Sequence, residues 1–301
     1  MSARDGLLGL LVGDALGVPY EFHGAAEIPP RPEVEMTPPP GFRRAHDRVP
    51  PGTWSDDGAQ ALVLLESLQR LGRLDPEDLA RSLVAWRDQG FCAVDGIVFD
   101  VGIQTGVALA NVRRGTPALQ AGPADERSNG NGSLMRVLPL ALVHTGSDEQ
   151  LVEDAFNQST VTHGHLRSLV CCAFYCLWAR RLLAGTGVDQ AWEQAVEALH
   201  ENVADVAFEE FGSHVLDHVD DPAQGTGYVV HSLLAARRLL LDEPDYEGVV
   251  KGAVALGDDT DTSACIAGGL AGIVHGGIPT RWLEQMRGRE ILEPLLAALP
   301  E

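Results

Sequence analysis

Basic residues are scarce in this sequence. Of its 301 residues, 22 are Lys or Arg and 43 are Asp or Glu, which leaves a formal net charge of −21 at pH 7. Such a surface repels phosphate backbones and anionic membranes, so the composition argues against nucleic-acid binding through a basic face. It still permits a small anionic ligand held in a local pocket.

The sequence also lacks paired cysteines and a long uninterrupted apolar run. The apolar run 6–18 contains Asp14, and neither a basic segment before it nor a cleavage site after it is present, so we expect no signal peptide and no membrane span. We expect a cytoplasmic protein and a monomer. The five cysteines have no metal-type spacing and are expected to be buried thiols: Cys92, Cys171, Cys172, Cys176 and Cys265.

Strands of alternating polarity are missing, whereas helical periodicity recurs along the chain, so an all-α fold is expected. No repeat period stands out, and 45% hydrophobic content suffices for a substantial core, so residues 1–301 are treated as one multi-helix domain. The proline-rich residues 23–53 are expected to form a long loop, with a lid over a site as one hypothesis for its role. The expected helices cover residues 6–20, 59–71, 74–89, 151–156, 166–183, 189–200, 228–241, 246–256, 263–275 and 281–288.

The first expected helix carries Gly9, Gly13 and Gly17 on one row, and such a row of small residues lets another helix approach closely. Pro19 ends this helix and places Glu21 at its exit. Taken alone, Glu21 reads as a solvated charge at a helix end.

Two acidic clusters each precede an apolar helix. One is Gly257 to Thr262, with three carboxylates in four positions, and helix capping accounts for only one or two of them. If this segment is extended before the helix, Asp259 and Asp261 point the same way. The other cluster is Trp54 to Gly58, with Asp56 and Asp57.

If the two helix starts meet, Asp56, Asp57, Asp259 and Asp261 bring four negative charges to one place. Two divalent cations would balance them, and oxygen-only ligands suit Mg²⁺ first, with Mn²⁺ or Ca²⁺ as alternatives, rather than Zn²⁺. The spacing alone does not show that the clusters meet.

A glycine-rich stretch, Ser128 to Arg136, has two readings. Its glycines permit close backbone approach, and its free N–H groups, with Ser133 at a helix start, would cradle a phosphate. A plain turn before a capped helix explains the same residues. In the stretch Thr162-His163-Gly164-His165, one histidine is expected to contact a ligand or to lie satisfied in the core.

Five motifs in order resemble the ADP-ribosylglycohydrolase family, from about residue 6 to residue 282. They are Gly-Asp-Ala-Leu-Gly with a following Glu (13–17 and Glu21), Ser-Asp-Asp (55–57), Gly-Asn-Gly-x-x-Met-Arg (130–136), Thr-His (162–163) and Gly-x-Asp-Thr-Asp-Thr (257–262). The resemblance implies an all-α fold with a dinuclear Mg²⁺ or Mn²⁺ centre, at which the two acidic clusters converge. The ligands it implies are Ser55, Asp56, Asp57, Asp259, Asp261 and Thr262.

The resemblance also implies roles for residues around the metals. Glu21 matches the mobile active-site glutamate, and Asp100 matches an acidic residue near the scissile bond. Tyr228 matches an aromatic residue that closes over the ligand, and His163 a residue that lines it. The residues implied to hold the diphosphate and the adjoining ribose are Ser128, Asn129, Gly130, Asn131, Gly132 and Ser133.

Three departures from the family pattern bear on the site. Ser55 stands where Thr is usual, Gly58 and Ala59 replace Thr-Gln, and Asp258 replaces Gly. The activity implied is hydrolysis of the bond between ADP-ribose and an acceptor such as an arginine, a serine or a small molecule. A metal-dependent phosphoester hydrolase and a non-catalytic crystallin-like relative are the alternatives.

Overall fold

The computed structural model describes residues 1–299, and these form an all-α fold. Within them there is no β-sheet, only two isolated bridges, Gly24 with Gly257 and Gly130 with Tyr228. The helices are α1 (Ala3–Gly17), α2 (Asp56–Leu71), α3 (Pro76–Gln89), α4 (Ile103–Arg113), α5 (Leu138–Val143), α6 (Asp148–Thr160), α7 (Leu166–Leu183), α8 (Val188–Asn202), α9 (Asp205–His214), α10 (Val229–Asp242), α11 (Tyr246–Val254), α12 (Thr260–His275), α13 (Thr280–Gln285) and α14 (Arg289–Ala297).

The expected helix 166–183 is confirmed at both ends, and the capping box of Ser147 and Gln150 starts α6. The starts expected for α2 and α12 are wrong, because both helices begin three residues earlier, so that α2 includes Asp56 and Asp57 and α12 includes Asp261. The cause is the positive end of the helix dipole, which favours carboxylates in the first turn. Helices α4, α5, α9 and α14 were not expected.

Helix α1 packs along α12 through its glycine row. A Cβ on Gly13 would overlap the carbonyl oxygen of Ala264, and one on Gly17 would overlap the backbone of Asp261. The close approach expected from the glycine row is therefore present, with α12 as the partner. It brings the exit of α1 beside the start of α12.

The Gly13→Ala variant should be less stable by about 1–3 kcal/mol or more, because overpacking a tight contact forces backbone to move. Gly212→Ala on α9 is the matched control, since open space surrounds Gly212. There alanine should add roughly 0.5–1 kcal/mol, the usual gain over glycine in a helix. Urea denaturation measures both, and a Gly13→Ala protein of wild-type stability would contradict the tight packing.

The loop 23–53 is irregular apart from a short 3₁₀ turn, Arg31–Glu33. Its middle is anchored, because Val34 and Met36 are fully buried and Glu35 accepts hydrogen bonds from Trp282 Nε1 and Lys251 Nζ. This part therefore does not form a free lid. Farther along, the backbone N–H of Ala45 donates to Pro19 O at 2.9 Å and holds the loop against the exit of α1.

The core matches the amphipathic pattern of the sequence. Helix α7 is buried without a break from Val170 to Ala179, and all five cysteines are free and buried, as expected. No helix within residues 1–299 is both long enough and apolar enough to cross a bilayer.

Candidate metal centre and active site

The start of α2 buries two carboxylates. Ser55 is the N-cap, and its Oγ accepts the N–H of Asp57 at 3.2 Å. Asp56 and Asp57 occupy the first helical turn and are 3% and 1% exposed. The cap and the helix dipole explain their position but leave two buried charges to be balanced.

The start of α12 lies against the start of α2. Asp259 is the residue before α12, and Asp261 is fully buried in its first turn. Thr262 Oγ1 donates to Asp57 Oδ1 at 3.3 Å, which joins the two helices directly. The two acidic clusters therefore meet, although Asp261 is helical rather than extended.

The carboxylates form two overlapping groups that share Asp261. Oxygens of Asp14, Asp57 and Asp261 lie within 4.8 Å of one another, and so do oxygens of Glu21, Asp259 and Asp261. Burial raises the pKa of Asp57 and Asp261, and the neighbouring carboxylates raise it further. Ionisation of all of them therefore requires positive charge.

One oxygen on each helix lacks a partner. Asp57 Oδ2 and Asp261 Oδ2 are buried and accept no hydrogen bond. An unsatisfied buried carboxylate oxygen is costly, whereas a hard cation satisfies it. The donor set, all oxygen, fits a divalent cation such as Mg²⁺.

Asp14 is a site residue to which the sequence analysis assigned no role. Both of its oxygens accept the N–H of Ser55 at 3.0 Å, and Oδ2 also accepts the N–H of Gly58 at 2.8 Å. Burial raises its pKa to about 7, against the lowering effect of these bonds. Asp14 therefore connects α1 to the start of α2. The only sign of this role in the sequence is a single carboxylate inside an apolar helix.

Glu21 and Asp100 lie on one wall of a cavity of about 670 Å³. Glu21 is 3% exposed, not solvated, and its Oε2 lies 2.6 Å from Nε2 of His46. Burial, and to a smaller extent repulsion from Asp100, raises the pKa of Glu21 to about 10. His46 comes from the irregular loop 23–53, where no sequence period marks it.

The glycine-rich loop forms another wall through Gly130, Asn131 and Gly132. Two of its N–H groups are not free as expected, because Gly130 N donates to Gln104 Oε1 at 2.9 Å and Asn131 N donates to Gly227 O at 3.1 Å. The Asn131 side chain donates to Asp259 Oδ2 at 2.8 Å. Asn131 therefore connects this loop to the acidic cluster.

Three other residues of this loop point elsewhere. Ser128 Oγ donates to Asp125 Oδ2, the Asn129 amide donates to Glu126 O, and Ser133 Oγ bonds to Ser159 Oγ in the core. The expected helix start at Ser133 is wrong, since α5 begins at Leu138. The second residue of α5 is Pro139, and proline favours the first turn of a helix.

His163 lines the cavity, whereas Tyr228 follows the lining residue Gly227 and does not line the cavity itself. His163 is 3% exposed, with Nδ1 2.8 Å from Thr162 Oγ1, and burial lowers its pKa to about 3, so the ring is neutral. The hydroxyl of Tyr228 accepts from Arg167 Nη1 at 3.1 Å, and its backbone pairs with Gly130. His165 instead caps α7.

The model of the family described as ADP-ribosylglycohydrolase matches residues 2–301. The chain belongs to that family. It is 29% identical over 299 residues to ADP-ribosylarginine hydrolase Tri1 of Pseudomonas putida (strain GB-1), covering 99% of this chain and 77% of that protein. It is 28% identical over 290 residues to ADP-ribosyl-(dinitrogen reductase) glycohydrolase of Rhodospirillum rubrum, covering 94% and 90%.

A solved structure described as an ADP-ribosylglycohydrolase-related protein complex superposes with a TM-score of 0.74 at 32% identity. The match covers 98% of this chain and 95% of that one. The family and all-α fold expected from the motifs are confirmed. Membership and the named relatives indicate an ADP-ribosylglycohydrolase, a hydrolase of ADP-ribose linkages.

The structure explains two departures of this ADP-ribosylglycohydrolase from the family pattern. A Cβ at position 58 would lie 2.8 Å from Asp14 Oδ2, so Gly58 suits the bond between its N–H and that carboxylate. Asp258 has φ +57°, a left-handed conformation that glycine adopts freely and that Asp tolerates better than most residues. Its backbone forms hydrogen bonds with Phe22 and His23, the two residues that follow Glu21.

Asp258→Gly should keep the fold and stabilise it by up to about 1 kcal/mol, because the left-handed strain is relieved. Asp258→Val should destabilise it by about 1–3 kcal/mol, since a β-branched residue is a genuine outlier at positive φ. Urea denaturation of both variants measures the difference. Equal stability of the two would mean that the backbone strain at this position is negligible.

Proposed function

We propose that this ADP-ribosylglycohydrolase hydrolyses the glycosidic bond between ADP-ribose and an arginine side chain, with two Mg²⁺ or Mn²⁺ ions held between α2 and α12. The observation that carries the proposal is the pair of partnerless buried oxygens, Asp57 Oδ2 and Asp261 Oδ2, one at each helix start. The residues that would hold the ions are Ser55, Asp56, Asp57, Asp259, Asp261 and Thr262.

Bound ions would supply Lewis-acid stabilisation of negative charge on the ribose oxygens and would orient the sugar. The chain supplies the rest. The loop around Gly130 and the neutral His163 would position the ADP-ribose, because both line the cavity beside the acidic cluster. Glu21 or Asp100 would transfer the proton to or from the leaving group, since both carboxyls lie on the cavity wall.

Charge favours arginine as the acceptor. Among the described residues that line the cavity, no Lys or Arg occurs. A guanidinium leaving group would be stabilised by the acidic residues of the cavity that are not proposed metal ligands, such as Asp100 and Asp258, whereas a neutral serine hydroxyl would gain nothing from them. The name of the Pseudomonas putida relative, an ADP-ribosylarginine hydrolase, agrees with this preference. Six acidic residues line the cavity: Glu21, Asp56, Asp57, Asp100, Asp258 and Asp259.

The test is to incubate the protein with Mg²⁺ and, separately, ADP-ribosyl-arginine, ADP-ribosyl-serine and O-acetyl-ADP-ribose, and to identify the products by mass spectrometry. We expect free ADP-ribose and arginine from the first substrate and slower release from the others. Release of phosphate instead would identify a phosphoester hydrolase. No release from any substrate would identify a non-catalytic relative.

Gly130→Val should weaken ADP-ribose binding by roughly tenfold or more, about 1.4 kcal/mol. The reason is steric, because a Cβ there would lie 2.5 Å from Gln104 Oε1 and 3.5 Å from His163 Nε2 at the cavity wall. Calorimetric titration with ADP-ribose and then with Mg²⁺ should show unchanged metal affinity. Gly106→Val, at a helical glycine with open space around it, is the control. An equal loss of ADP-ribose affinity and Mg²⁺ affinity in Gly130→Val would show that the loop has a structural role only.

A further inference from the structure

Arg136 is a buried cation with no carboxylate in contact among residues 1–299. It is 0% exposed, yet its guanidinium donates only to neutral acceptors. Nε and Nη2 donate to the side chain and the carbonyl of Gln158, at 3.1 and 2.8 Å, and Nη1 donates to Gln60 Oε1 at 3.0 Å. A buried charge without a direct ion pair is costly, so compensation must come from farther away.

Gln60 connects this cation to the metal centre. It is fully buried on α2, one turn after Asp56, and its Nε2 donates to Asp56 Oδ2 at 2.9 Å. The amide has one accepting end and one donating end, and a guanidinium only donates. A flipped amide would set NH₂ against Arg136 and oxygen against Asp56, which is unfavourable at both ends. Arg136 therefore fixes Gln60 as a donor to Asp56.

We propose that Arg136 and Gln60 form a positioning relay that holds Asp56 ready to bind a cation. The Gln60 amide occupies Oδ2 of Asp56 and leaves Oδ1 for coordination. Both residues act through Asp56 and touch neither substrate nor reacting atoms, so they are positioning residues. The inference rests on the metal centre of the proposed function.

A charge-changing variant separates positioning from packing. In Gln60→Glu, the new carboxylate still accepts from Arg136, so the acceptor that Arg136 needs is kept. It no longer donates to Asp56 and repels it instead. A purely structural Gln60 would tolerate this change, whereas a positioning Gln60 would not.

Gln158→Glu is the matched control. It makes the same substitution on the other side of the same guanidinium, at an equally buried residue that contacts no proposed metal ligand. If the only effect of these substitutions were to neutralise Arg136, both variants would change the Mg²⁺ affinity equally. If the bond to Asp56 matters, only Gln60→Glu should lose metal affinity.

The experiment is calorimetric titration of Mg²⁺ into chelated wild type and both variants, with melting temperature and circular dichroism of the metal-free proteins recorded alongside. We expect Gln60→Glu to raise the Mg²⁺ Kd by roughly tenfold to a hundredfold, the usual cost of losing a partner of a metal ligand. Gln158→Glu should stay within about twofold, the scatter of an uncoupled site.

Gln60→Met, which removes the donor without adding charge, provides a second test if Gln60→Glu does not fold. It should also weaken Mg²⁺ by at least about tenfold. Wild-type affinity in either folded Gln60 variant, or an equal loss in Gln158→Glu, would overturn the relay alone. Wild-type protein that binds no Mg²⁺ would overturn the metal centre and the relay together.

Discussion

Glu21→Gln should lower the turnover of ADP-ribosyl-arginine by roughly a hundredfold or more, the usual scale of general acid–base catalysis, while metal and ADP-ribose binding stay close to wild type. Glutamine keeps the size of the side chain and a hydrogen bond to His46, but it carries no transferable proton. The buried position beside Asp100 raises the pKa of Glu21, so the carboxyl holds a proton at neutral pH in the metal-free protein.

Glu27→Gln is the matched control for this prediction. Glu27 lies farther along the chain in the loop 23–53, is exposed, and accepts only the N–H of Gly24 at 2.9 Å. Its loss should leave turnover unchanged. Near-normal turnover in Glu21→Gln would mean that Glu21 is an ordinary acidic residue at a helix end. Asp100, which lines the same cavity, would then be the proton carrier to test, with Asp100→Asn.

Asp261→Asn should cost at least about a hundredfold in metal affinity, more than the loss of an outer-shell partner, and activity should fall with it. Asp261 belongs to both carboxylate groups, and its Oδ2 has no protein partner. The metal-free variant should melt at or above the wild-type temperature, because one charge leaves a repelling cluster. Calorimetry with Mg²⁺ and a melting curve of the chelated protein measure both effects.

Two further variants serve as comparisons for Asp261→Asn. Asp258→Asn removes a charge three residues earlier on an exposed side chain and should leave metal affinity nearly unchanged. Asp14→Asn should instead lower the stability of the metal-free protein by about 1–3 kcal/mol, since the carboxylate accepts buried N–H groups at the start of α2. Unchanged metal affinity in Asp261→Asn, with reduced stability, would make Asp261 a structural residue.

The sequence alone predicted the parts of this site that depend on local patterns. Helical periodicity predicted α7 to its end residues, and the unusual density of acids marked Asp56, Asp57, Asp259 and Asp261. The glycine row of α1 predicted a close helix partner. It did not say that the partner is α12, because a packing surface read from one helix does not identify the other.

Residues that act through tertiary contacts were the ones missed. His46 lies in an irregular loop, and Gln104 reaches Gly130 from the start of α4, a helix that was not expected. Neither has a local pattern, since its partner lies about 25 residues away in sequence. Ser133 shows the opposite error, because a residue suited to capping was placed at a helix start and lies in the core instead.

The central claim is that the starts of α2 and α12 form one dinuclear centre, and calorimetric titration of chelated wild-type protein with Mg²⁺ and with Mn²⁺ tests it most directly. We predict two cations per chain and a melting temperature that rises as they bind, because ions that bind only the folded state stabilise it by mass action. Titrations that show no binding of either ion, with a melting temperature that chelation does not change, would contradict the account.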